Sequence, residues 1–125
     1  MNALRKIHAA LVPGGLVIDT QPVSPEPPVE AEAGEFGRLD MREWALTIQA
    51  VDERIAEAIR GDLFAVDGEH RFTVTDGYDD GGDFVAEVRE WAGTRVDDAL
   101  ADRAGRERGP VRLHQEVNLR VLRAL

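Results

Sequence analysis

The stretch Leu11-Val12-Pro13-Gly14-Gly15, followed by Leu16-Val17-Ile18, constrains this chain more than any other. Proline has no N–H for a helix interior and fixes its own φ, so a helix running into Pro13 must stop there. Two glycines then permit positive φ, and the chain can reverse tightly into whatever follows. Upstream, Leu4, Ile7, His8 and Leu11 recur on one face of a helix. Downstream, Leu16-Val17-Ile18 is a short apolar run ending in Asp19-Thr20, the pattern of a strand buried on both faces.

Beyond this unit, residues 21–29 carry four of the six prolines and predict an extended surface loop. Residues 29–40 predict two short strands around Gly34-Glu35. A long helix is predicted over 41–60, with Ala45, Ile48, Val51 (or Asp52), Ile55 and Ile59 as its apolar stripe. Asp40 and Glu43 have the spacing of a capping box, and Gly61 is placed to end the helix in a left-handed conformation. Asp67-Gly68 between two apolar runs predicts a hairpin turn. Helical segments follow over 83–91 and 96–106, the first marked by Phe84, Val88 and Trp91. A final strand has Val111, Leu113, Val117, Leu119 and Val121 on one face.

The 125 residues make one domain, 1–125, with enough chain for a real core. Aromatics are 6%, so aliphatic side chains must do most of the packing. A net charge of −9 opposes nucleic acid and anionic lipid as partners, because both require clustered cations. The late arginines, Arg103 to Arg123, are interleaved with acids and read as a solvated face. The chain lacks cysteine, which excludes disulfides, thiolate metal sites and cysteine nucleophiles. No apolar run approaches the roughly 20 residues of a membrane span. The first residues are too short and polar for a signal peptide, so a cytoplasmic location is expected.

The helix, the Leu11-x-Pro13-Gly14-Gly15 turn and the strand after it resemble a recurring element of class I SAM-dependent methyltransferases, where such a turn leads into the fifth strand of the central sheet. The later order also resembles that family's C-terminal half: an insertion, a long helix, a strand, a helix, a terminal strand. The resemblance implies an α+β domain with a mixed, largely antiparallel sheet of about five strands and three or four helices, derived from half of a Rossmann-like fold. It also implies a truncated protein, either naturally short or a fragment with a misassigned start, because the family holds its methyl donor upstream of this turn. No Gly-x-Gly occurs in the sequence. No cofactor is therefore expected, and SAM only where a separate donor-binding chain supplies its site. In open α/β sheets ligands sit beyond the carboxyl ends of strands. Asp19, Thr20 and Gln21 occupy that place and form the candidate substrate cleft, or else simply cap a strand and begin a loop.

Other groupings are weaker. The run from Asp76 to Asp83 is rich in carboxylates but has Tyr78 at a ligand position and no closing glutamate, so it reads as a turn with Asp80 or Asp83 as N-cap rather than a calcium loop. His8, His70 and His114 are isolated, and His114 shares a face with Glu116. Ser24, the only serine, lacks a nucleophile context. Trp44 and Trp91 fit core or interface anchors. No catalytic or metal-binding residue is assigned. A half-sheet leaves the edge of the Leu16–Ile18 strand and apolar helix faces uncovered, which predicts a homodimer or another protein partner at that edge or at the Leu4/Ile7/Leu11 face. Three roles remain open: a methyltransferase-like remnant acting through self-association, a substrate-side subunit of a split methyltransferase, and a small-molecule binding module.

Overall fold

Pro13 and its two glycines act as the sequence requires. In the computed structural model, which describes residues 2–125, helix α1 (Asn2–Ala10) ends just before them. Gly14 takes φ +83°, and the turn is pinned to the chain terminus: Gly14 N–H donates to Ala124 O (2.9 Å), and Ala124 N–H donates to Gly15 O (2.8 Å). The chain then enters β1 (Leu16–Pro22), β2 (Pro28–Ala31), β3 (Gly34–Arg38), α2 (Arg42–Arg60), β4 (Phe64–Tyr78), α3 (Gly81–Val88), α4 (Asp98–Gly105) and β5 (Val111–Ala124). Five strands and four helices make the expected α+β fold, and every ladder in the sheet is antiparallel.

β5 is the axis of the sheet. Its whole length pairs with β4 on one side. On the other side its second half pairs with β1 and its first half with β2, which in turn pairs with β3. β1, β3 and β4 each keep one edge without a strand partner.

Several local expectations are corrected. Asp67-Gly68 makes no hairpin: Asp67 is the extra residue of a β-bulge inside the continuous strand β4, whose partner is β5. Gly61 has φ −83°, and the left-handed residue after α2 is Asp62 (φ 59°). The N-cap of α2 is Met41, and no capping box forms; Asp40 Oδ1 accepts from Arg42 N–H (3.1 Å), and Glu43 pairs with Arg95 (3.6 Å). The Arg42 guanidinium holds the Asp40 carboxyl down at about 2. β1 is not buried on both faces, because Leu16 and Ile18 are exposed. The proline loop is shorter than 21–29, since β1 runs through Pro22 and β2 starts at Pro28. Pro27 is fully buried, and the carbonyls of Pro25 and Pro27 accept from Met41 and Leu39 N–H. α3 ends at Val88, leaving Trp91 in the turn beyond it, and Asp97 caps α4.

Two buried clusters sit along β5. Val111 and Leu113 join Val29, Leu39, Phe84, Val88 and Leu100 in the first. Leu122 and Ala124 join Leu4, Ile55, Ala58 and Phe64 in the second. The buried side of β5 thus changes from odd to even residues, with Val117 and Asn118 both buried at the crossover. The predicted single apolar face therefore holds only for the first half of the strand; Leu119 and Val121 stay half-exposed. Long paired strands twist strongly. One helix laid across such a ribbon meets odd side chains at one end and even ones at the other. α2 does this, giving Met41 and Trp44 to the first cluster and Val51, Ile55, Ala58 and Ile59 to the second.

α3 and α4 meet at Gly81, where a Cβ would lie 1.7 Å from Ala104 O. Only glycine allows the two backbones to approach so closely. Gly81→Ala is therefore expected to cost about 3 kcal/mol in urea unfolding. Gly109→Ala, which meets nothing within 4 Å, should stay within about 0.5 kcal/mol of wild type. Tyr78, the only tyrosine, packs edge-on against Phe84 at 5.3 Å. Burial first, and the nearby Glu87 carboxylate second, push its pKa upward. A raised folded-state pKa means that stability is intact below the free phenol's value of about 10 and falls as pH rises through it, because the unfolded chain ionises first. Phenolate absorbance in the folded protein should appear only above that value, and Tyr78→Phe should flatten the alkaline loss of stability.

Candidate functional site

Asp19, Thr20 and Gln21 lie within β1, opposite Arg120, Leu119 and Asn118, not beyond its carboxyl end as the sequence predicted. Because β1 continues to Pro22, the three alternate across the sheet: Asp19 and Gln21 share one face with Val17, and Thr20 shares the other with Leu16 and Ile18. They therefore do not form one cleft. The structure brings together Asp19, Gln21, Arg120 from β5 and Asp52 from α2.

Arg120 is the centre of this group. Its Nε and Nη2 donate to Asp19 Oδ2 at 3.1 and 2.8 Å, and Nη2 also donates to Asp52 Oδ1. Gln21 Nε2 donates to the remaining Asp19 oxygen at 2.7 Å. The Arg120 and Asp19 side chains are only 13% and 14% exposed, whereas Asp52 is about half-exposed. Burial alone would lower the Arg120 pKa; the hydrogen bonds to Asp19 and Asp52 outweigh it and keep the guanidinium charged. Both Asp19 oxygens are thus engaged, which suits a clamp between β1, β5 and α2 rather than a proton-transfer group. Beside it, Asn118 Nδ2 donates to Glu69 Oε1 (2.9 Å), while its buried Oδ1 has no partner among the described residues.

Over Asp19 opens a groove of about 450 Å³ between α1, α2 and β1. Leu4, Ile7, Val17, Ile18, Val51 and Ile55 give it apolar walls, with Thr47, Arg54 and Asp19 as its polar members. Arg54 makes no ion pair among the described residues. The groove offers shape, apolar surface and one cation to a ligand.

The remaining candidates are dispersed. Asp80 caps α3 by accepting from Asp83 N–H at 2.8 Å, while Asp76, within β4, accepts a long bond (3.3 Å) from Gln115 Nε2. His8 Nε2 lies 3.0 Å from Leu125 O and packs edge-on against Phe64. His114 is not paired with Glu116: Nδ1 shares a hydrogen bond with Thr75 Oγ1 (2.9 Å), and Nε2 is 3.8 Å from Glu30. Among the described residues no three His, Asp or Glu side chains converge to hold a metal ion. Among the described residues no helix is long and apolar enough to cross a membrane. Arg120 and Asp52 escaped the sequence reading because their meeting depends on strand register and on the path of α2; the nearest signal was an arginine within the apolar alternation of the last strand.

No protein-family model, curated protein or solved structure matches this chain.

Removing Arg120 leaves the mostly buried Asp19 side chain without its arginine partner. Arg120→Ala should cost about 2–3 kcal/mol, below the range for fully buried pairs because some solvent remains. Double-mutant cycles should give a larger coupling of Arg120 to Asp19 than to the more exposed Asp52.

Proposed function

We propose that this chain is a methyltransferase-related association module, without catalysis of its own, that acts by pairing with a second copy through β1. The observation that carries this reading is the state of β1: its outer edge has no strand partner, and Leu16 and Ile18 beside that edge are 55% and 65% exposed. Unpaired edges recruit strands unless charge, bulges or brevity protect them. β4 is protected by its bulge at Asp67 and by Glu69, His70 and Arg71, and β3 has only five residues. β1 has a single charge, Asp19, already neutralised by Arg120. The alternative face expected from sequence is largely used inside the molecule, since Leu4 is buried and Leu11 packs on the second cluster. The order of elements after the Pro-Gly-Gly turn supports the methyltransferase kinship, whereas the lack of a donor-binding Gly-x-Gly in the sequence is why no donor binding is proposed for the chain alone.

The groove over Asp19 favours a second reading, a small-molecule binding module. Its apolar walls and the free Arg54 guanidinium suit a compact apolar carboxylate. The same surface could serve as the substrate side of a methyltransferase completed by a separate donor-binding chain.

Light scattering on the purified chain at tens of micromolar should report a dimer. Ile18→Lys, a charge placed at an exposed position, should yield a folded monomer with an unchanged melting profile. A wild-type chain that stays monomeric at those concentrations removes the association reading. In calorimetric titration the chain alone should take up no S-adenosylmethionine; tight stoichiometric uptake would show that it grips the donor unaided.

A further inference from the structure

Both tryptophans of this aromatic-poor chain line one cleft, at the other end of α2 from the Asp19 groove. Trp44 and Met41 come from the start of α2, Trp91 and Ala92 from the turn after α3, and Pro22 from the end of β1. The cleft holds about 400 Å³. Gly93 fixes the two tryptophan-bearing segments against each other: it adopts φ +68°, accepts from Trp44 N–H at 3.2 Å, and would bring a Cβ to 2.9 Å of Trp44 N. The bridge between Asp40 and Arg95 continues this seam. Trp44 Nε1 is buried and has no partner among the described residues.

The polar part of the lining is Asp76 and Gln115. Asp76 is the only charged residue there. It is half-buried, and its one side-chain contact is the 3.3 Å bond from Gln115 Nε2; no arginine, lysine or histidine among the described residues pairs with it. A carboxylate removed from water without a cation is costly. The cleft shares its lining between this carboxylate and two indole side chains, a residue type whose ring attracts cations.

We propose that this cleft binds a small organic cation, of the alkylated-ammonium class, with its charge against Asp76 and its alkyl groups against Trp44 and Trp91. A weakly hydrated cation gains from the ring faces and loses little on leaving water. A bare metal ion would find one carboxylate and one amide oxygen, too few ligands for a hard cation. The net charge of −9 favours cation approach.

Because the two tryptophans are the only ones present, intrinsic fluorescence reads the site directly. Tetramethylammonium chloride should change the emission saturably, with both indole N–H resonances shifting in NMR spectra. Sodium chloride at equal ionic strength and tert-butanol, an uncharged ligand of similar shape, should not. Asp76→Asn, nearly isosteric, should weaken binding about tenfold while the wild-type spectrum of the free protein is retained. Trp91→Ala should abolish the response. Equal responses to tert-butanol, unchanged affinity in Asp76→Asn, or no saturable change with tetramethylammonium would each overturn the assignment.

Discussion

The fold depends on β5 being paired along both edges. It is the last strand made, yet every other strand reaches the sheet through it or through its partner β2. Even the Pro-Gly-Gly turn, seemingly a local device, is closed by hydrogen bonds to Ala124. Folding must therefore wait for contacts between the two ends of the sequence, and such long-range closure is the slow step in sheet-rich chains. The Arg120 clamp belongs to the same logic. It joins the middle strand to β1 and α2 at the place where the buried side of β5 changes over.

What was legible in the sequence was what local chemistry decides. Pro13 ends α1, the Ile48/Ile55 stripe marks α2, Asp80 caps α3, and the alternation from Val111 marks the terminal strand. What was not legible depends on partners distant in sequence. Asp67-Gly68 has hairpin chemistry, but the strand beside it is β5, so the extra residue became a bulge. Leu16-Val17-Ile18 has the composition of a buried strand, but with β5 as its only neighbour it lies at an edge. α2 ends at Arg60 as expected, but Gly61 is its C-cap with φ −83°, and the left-handed residue is the next one, Asp62. The candidate site shows the same division: Asp19 could be picked from its place after an apolar run, whereas Arg120, Asp52 and Arg54 needed the register of β5 and the path of α2.

The two ends of α2 border regions of different chemistry. At one, Asp19 is neutralised and an apolar groove carries a free guanidinium; at the other, Asp76 is a lone carboxylate among indoles. The exposed Leu16 and Ile18 lie on β1, whose only charge, Asp19, is neutralised by Arg120 and whose pairing with β5 has no bulge. Their exposure has no use in the packing of a single chain.

Amide hydrogen exchange followed as a function of protein concentration tests that assignment of β1 most directly. If β1 pairs with a second copy, protection of residues 16–21 rises with concentration, while that of residues 69–75 in the guarded strand β4 does not change. Exchange in β1 that is independent of concentration would contradict it.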